Sequence, residues 1–392
     1  MKHTTASKLQ YGVLDLGQNA FLNLVGFYFL FFMTDKIGIS PILAGAALTI
    51  GKIWDAITDP MVGNWSDNSL NPKGRRLPFI HKGSISIVIF IFLMFTVPTF
   101  ESEIFRFLYI TLMYMFASTS FTLMNIPYQA LLPELTSDFD ERTSFIAWRM
   151  VFAVLGTFIG AGAVMPIVHA FGVHGWSATA LTIGLLTGIT GLITVFCIQE
   201  PKPKEQKTPQ KLLASIAHVF SQKPFLLAIF PWALFNLGVT IVQSSLVYFF
   251  AYIIGNKDLF NQGVFALLGL ALVSIPLHVF LSRFLDKKGS YILGMVWLIT
   301  ILLIFTYASP TLPPFAGVIL MAIAGIGLGA HYVMPHSILP DVIEWDAVQS
   351  GTHHEGIFAS MWTLSSKIGQ GLALGVAGLV LQIFGYVPGQ VQ

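Results

Sequence analysis

Charge is the scarcest commodity in this sequence. Asp, Glu, Lys and Arg make up 10% of its 392 residues, against roughly 25% in an ordinary soluble domain. With a mean hydropathy of +0.73, that shortage excludes a water-soluble globular fold. Cysteine is almost missing: Cys197 stands alone, so no intrachain disulfide can form. The net charge is only +2 and no long basic run exists, which excludes a nucleic-acid partner held by electrostatics. The polar stretch Met1 to Gln10 has no short apolar core followed by a small-residue cleavage site, so no cleaved signal peptide is expected.

What the chain has is a succession of apolar runs. Stretches long enough to cross a bilayer begin near Tyr11, Pro41, Phe79, Ile104, Ser144 and Ser177, then near Phe225, Gly263, Ser290, Pro314 and Gly356. This predicts an all-α, multi-pass membrane protein of 11 spans. The main interruption, 199–223, carries Pro201, Pro203, Pro209 and five lysines and reads as a polar cytoplasmic linker. It separates an N-terminal six-helix bundle over 1–198 from a C-terminal five-helix bundle over 224–392. With the N-terminus inside, 15 of the 21 Lys and Arg residues fall in cytoplasmic segments, and only Lys36, Arg106 and Lys257 fall outside. The C-terminus would then lie outside. A faint repeat supports two halves: Gly63 to Asp67 with Lys73-Gly74-Arg75-Arg76 follows the second span, and Asp286-Lys287-Lys288-Gly289 follows the eighth.

The few charges inside spans carry the functional signal. The second span contains Lys52, Asp55 and Asp59 on one helical face, the two carboxylates one turn apart. A charge at the bilayer centre costs at least about 2.5–3.5 kcal/mol, so such groups face protein or water. Two acids held close favour a proton or a cation between them. The plainer alternative is that Lys52 neutralises one acid and the group locks helices together. The first span adds Asp15 and Asn19, and the fifth adds Arg149. The fourth adds a stripe of Ser118, Thr122, Asn125 and Gln129. The seventh offers Asn236, Thr240 and Gln243, and the eleventh Thr363, Lys367 and Gln370, so a cavity lined from both halves is expected. Other features take simpler readings. His353-His354-Glu355 lacks metalloprotease spacing. His331 and His336 read as helix-packing hydrogen bonds. Trp54, Trp148 and Trp362 flank polar positions where sugar rings could stack, although core filling accounts for most membrane tryptophans. No nucleophile and base stand at a credible spacing, so an enzyme is not expected.

Specific motifs narrow this further. Tyr11-Gly12, Phe32-Met33-Thr34-Asp35, Ile53-Trp54-Asp55-Ala56-Ile57-Thr58-Asp59-Pro60, Gly74-Arg75-Arg76, Asn125-Ile126-Pro127-Tyr128 and Arg149 recur in order. So do Pro340-Asp341-Val342-Ile343-Glu344-Trp345, Glu355-Gly356, Lys367 and Gly385-Tyr386. Over nearly its whole length the chain resembles the glycoside-pentoside-hexuronide:cation symporters of the major facilitator superfamily, whose best-known member is melibiose permease. The resemblance implies cation-coupled symport of a sugar or glycoside-like solute by alternating access, in the bacterial inner membrane, with no cofactor. It makes Asp55 and Asp59 cation ligands, with Thr58 and Thr122 beside them. Asn19 and Asn125 fall at sugar-binding positions, Arg149 is an adjacent base, and Lys367 approaches the acidic cluster. Asp15, Lys52, Trp362 and Thr363 complete the candidate solute-binding set. Asparagines at 19 and 125 replace the aspartates of the best-known member, and Asp15 is placed to compensate in part. Relatives of this family carry lysolipids, so an amphipathic lipid is the alternative solute. Asp15, Asp55 and Asp59 balance Lys52, Arg149 and Lys367, which tilts the coupling ion toward H+ over Na+. The expected partners are a small solute and the lipid bilayer, with the protein a monomer. Family members continue into a twelfth helix, and the expectation is that this chain stops short of it.

Overall fold

The computed structural model describes residues 4–67, 69, 71–72, 74–136, 139–200, 212–256, 258–350 and 355–383. Long helices and short connections account for nearly all of them. α1 spans 5–36 in four pieces, Thr5–Gly12, Leu14–Leu24, Val25–Phe29 and Phe32–Lys36, the last two π-helical. α2 is Pro41–Asp67, α3 Leu77–Phe95, α4 Glu103–Leu135, α5 Phe139–Gly162 and α6 Gly175–Cys197. A short helix, α7, covers Leu212–Ser221, and α8 covers Lys223–Tyr248 with a π-helical extension Phe249–Ile253. One continuous run, Asp258–Ala308, breaks at Asp286 into α9 (258–285) and α10 (287–308). α11 is Pro314–Ser350 and α12 Glu355–Ile383. Leaving α7 aside, 11 helices of spanning length match the 11 apolar runs among the described residues. Apolarity alone does not single out α2, because Lys52, Asp55 and Asp59 sit mid-helix.

The chain divides into two compact units, Met1–Gln206 with Leu374–Gln390, and Lys207–Ala373 with Val391–Gln392. In the first, α1 is central. Glycines let it approach its neighbours: a Cβ on Gly156 or Gly160 of α5 would overlap the Leu16 or Ala20 carbonyl oxygen, and one on Gly17 would overlap Thr190 of α6. Phe29, Phe32, Phe95 and Trp176 pack as an aromatic cluster, with ring centroids 4.7–5.9 Å apart for the pairs of Phe95. In the second unit, Phe225, Ile229, Trp232, Val342, Phe358 and Trp362 form a core. Val219 of α7 is fully buried in it. The stretch expected to be a polar linker therefore ends in a packed helix. Leu212-Leu213 and Ile216 to Val219 form an apolar run that the prolines and lysines before it obscured.

The halves repeat one local device. α1 ends with Ile37 N–H donating to the Phe32 carbonyl at 3.1 Å and Ile39 N–H to the Met33 carbonyl at 2.9 Å, around Gly38 at φ +72°. The extension of α8 ends with Ile254 N–H donating to Phe249 O at 3.0 Å and Asn256 N–H to Phe250 O at 2.9 Å, around Gly255 at φ +74°. A left-handed glycine closes each first helix by satisfying carbonyls that otherwise lack partners. The two loops that look alike in sequence are built differently. Asp286 caps α10 locally, its Oδ1 accepting from Gly289 N at 2.8 Å. At the start of α3 the acid comes from afar: Glu200, just past α6, accepts from the backbone N–H of Arg75, Arg76 and Leu77 at 2.8–3.1 Å. Glu200→Ala removes that cap and is expected to cost about 1–2 kcal/mol, read as a lower midpoint in thermal or denaturant unfolding of the purified protein.

Candidate functional site

The acidic pair is bridged by one hydroxyl. Asp55 is 5% exposed and Thr122 fully buried. Thr122 Oγ1 on α4 lies 3.0 Å from Asp55 Oδ1 and 3.0 Å from Asp59 Oδ1, both on α2. A threonine hydroxyl has one proton to donate and lone pairs to accept with. It can therefore serve two ionised carboxylates only in turn. A proton on one acid completes a chain, acid to hydroxyl to carboxylate, and a small cation meets three converging oxygens. Both occupants suit hard oxygen ligands. Thr58 is buried and donates its proton to the Asp55 backbone carbonyl at 3.2 Å, which leaves its oxygen lone pairs to accept. No group of three or more His, Cys, Asp or Glu able to hold a metal ion occurs among the described residues.

A second polar centre lies between α1, α4 and α5. Arg149 binds Asp15 through two contacts, Nε to Oδ2 at 2.7 Å and an Nη to Oδ1 at 3.2 Å. Tyr128 O–H donates to Asp15 Oδ2 at 2.5 Å, and the Arg149 guanidinium stands 4.5 Å from the Tyr128 ring centroid. Tyr11 O–H donates to the Tyr128 carbonyl at 2.7 Å, tying α1 to α4. Asp15 is thus consumed by Arg149 and Tyr128.

Asn19, half-buried, donates from Nδ2 to the Asp15 carbonyl at 2.8 Å, and Asn23 one turn on donates to Thr157 Oγ1 at 3.2 Å. Asn125 accepts from Gln129 Nε2 at 3.0 Å, as the α4 stripe predicts. Sequence reasoning passed over Gln18, which is 2% exposed with a buried Nε2 that has no hydrogen-bond partner. Its neighbours Asp15 and Phe21 both touch α4, and that α1 periodicity was the available signal. Lys52 is half-buried on α2.

The remaining candidates belong to the second unit. Lys367 is half-buried and Thr363 exposed on α12. Trp362 is 4% exposed, with its ring stacked 4.9 Å from that of Trp232. It packs in that unit's core. Asn236 and Thr240 donate to carbonyls of their own helix at 2.8 and 2.7 Å. His331 is stacked against Phe235 and Trp232 with centroids 3.5 and 5.0 Å away, and its Nδ1 hydrogen-bonds the Tyr291 hydroxyl of α10 at 3.5 Å, a packing hydrogen bond of the kind expected. Residues 353 and 354 lie outside the described residues, as does the side chain of His336.

Comparison with known proteins decides the family. The family described as MFS/sugar transport protein matches residues 10–392. The chain belongs to that family. Among its relatives, the sodium-dependent lysophosphatidylcholine symporter 1 of Homo sapiens is 28% identical, over 91% of this chain and 71% of its own length. The isoprimeverose transporter of Lactiplantibacillus pentosus is 25% identical, over 99% of this chain and 82% of its own. The crystal structure of the nucleoside transporter NupG matches with a TM-score of 0.73 at 15% identity, covering 98% of this chain and 93% of that one, and shares the fold. The chain is a multi-pass MFS symporter, a secondary transporter and not an enzyme.

Proposed function

We propose that this transporter is of the melibiose-permease type and couples a cation, held by Asp55, Asp59 and Thr122, to uptake of a sugar or glycoside-like solute. The observation that carries this reading is the single Thr122 hydroxyl placed 3.0 Å from each carboxylate. The bundles 1–198 and 224–392 move as the two halves of an alternating-access carrier, with the N-terminus cytoplasmic, in a bacterial inner membrane, as a monomer. In the first unit, Asn19 and Asn125 contact the solute.

A proton is the favoured coupling ion and Na+ the alternative. The Asp15–Arg149 pair cancels its own charge, and the remaining span charges are Asp55 and Asp59 against Lys52 and Lys367. Either ion adds one positive charge, but a metal ion must also give up its hydration shell, whereas a shared proton completes the hydrogen-bond chain through Thr122. An amphipathic lipid is the second solute reading. The lysophosphatidylcholine symporter relative favours it, and neutral amides at positions 19 and 125 suit a solute poorer in hydroxyls.

Vesicle uptake at fixed pH tests both points, with labelled isoprimeverose and lysophosphatidylcholine as probes and sodium replaced by choline. A proton-coupled sugar carrier takes up the glycoside without sodium and stops with a protonophore. Collapse in choline, rescued by millimolar sodium and indifferent to the protonophore, rejects proton coupling. Ion-dependent uptake of the lysolipid alone rejects the sugar.

A further inference from the structure

The carboxylates of the cation site ride on α2 and its bridging hydroxyl rides on α4, so the register between these two helices sets every distance in the site. Side by side along that seam lie Gly51 against Tyr114, where a Cβ would overlap the ring, and Gly63 against Ile126, where a Cβ would sit 3.6 Å from Cγ2. Both contacts are apolar and carry no directional bond. One contact near the site is directional. Trp54, the residue before Asp55, donates its indole N–H to Thr119 Oγ1 at 2.9 Å. Thr119 in turn donates its own proton to the Met115 carbonyl at 2.9 Å, so its lone pairs are left to accept. Indole is a donor only, which makes the polarity of this bond unambiguous. Thr119 precedes Thr122 by three residues on α4, one turn away on the same face.

We propose that Trp54 is a positioning residue for the ion step: its indole bond to Thr119 fixes α4 against α2 so that the Thr122 hydroxyl reaches Asp55 and Asp59 together. This rests on the cation-site reading above. Sites of this kind tolerate about 0.5 Å of misplacement, and a half-buried ring with one hydrogen bond resists slippage that apolar contact alone permits. Ile53 and Ile57, which flank Trp54 and Asp55, are 57% and 50% exposed. They face away from the seam and add no restraint of their own.

The test needs no solute. The thermal midpoint of the purified full-length protein is titrated with NaCl, choline chloride holding ionic strength, and separately with pH, since an ion that binds only the folded state raises the midpoint. Trp54→Phe keeps an aromatic ring and removes the donor; Thr119→Val keeps the branched shape and removes the acceptor. Each is expected to shift the half-effect ion concentration about five- to tenfold, the size of one hydrogen bond's net contribution, and the double variant no further than either single. Thr119→Ser, which keeps the acceptor, stays within twofold of the parent. A purely structural role changes the ion-free midpoint and leaves the half-effect concentration where it was, and that result overturns the proposal while sparing the cation site. If Asp55→Asn and Asp59→Asn titrate like the parent, or the parent responds to neither ion, the cation site and this proposal fall together.

Discussion

Asp55→Asn and Asp59→Asn each lower ion-driven uptake by roughly 100-fold, while the variant proteins insert and fold. Asparagine preserves the side-chain shape and still offers Thr122 an oxygen at Oδ1, so packing at the α2–α4 seam changes little. What is lost is the negative charge. A charge-assisted contact contributes about 1.5–3 kcal/mol, and each 1.4 kcal/mol is a factor of ten, so losing one ligand of a two-carboxylate site reaches that scale. Stability should move the other way or not at all, because two carboxylates sharing one buried hydroxyl repel each other until an ion arrives. The measurement is initial uptake rate against ion concentration in vesicles of equal protein content, beside melting midpoints in ion-free buffer. If both variants retain the parent's ion dependence, the coupling site lies elsewhere.

The second large effect concerns stability. Asp15 and Arg149 are 7% and 16% exposed in their side chains. Removing one partner of such a buried pair strands the other charge, at a cost of about 3–5 kcal/mol. Asp15→Asn and Arg149→Met are therefore each expected to lower folded yield and unfolding midpoint sharply. The double variant recovers most of the loss, because two neutral groups of similar volume replace the pair. Tyr128→Phe deletes one hydrogen bond to the carboxylate and costs less, about 1.5–3 kcal/mol at most. Denaturant midpoints of the four proteins form a double-mutant cycle for Asp15 and Arg149. Singles that melt like the parent yet lose uptake would place the pair in the transport step, and strictly additive losses would show that the two groups do not act together.

These expectations were legible in the chain to different degrees. Asp55 and Asp59 were found because helical periodicity puts residues four apart on one face, and a charge in an apolar run has to be accounted for. Thr122 was found on a polar stripe by the same rule. Neither rule says which stripe meets which. Thr58 and Thr122 look equally suited to the acidic pair in sequence, yet Thr58 donates its proton to the carbonyl of Asp55, three residues back, while Thr122, from another helix, bridges the carboxylates. Nothing in the sequence around Asp15 shows that Arg149, more than a hundred residues away, binds it through its guanidinium.

By itself the sequence determined the all-helical membrane fold, the placement of the spans and the acidic pair, since all of these follow from local composition and a 3.6-residue period. The tertiary structure alone decided the partners. It paired Asp15 with Arg149, turned Trp362 into core, folded Leu212–Ser221 onto the second unit and brought Glu200 to the start of α3. The physical reason is that periodicity specifies a face while leaving open what covers it. Contacts between distant segments depend on how closely helices approach, and here glycines such as Gly156 and Gly160 set that approach through atoms they lack.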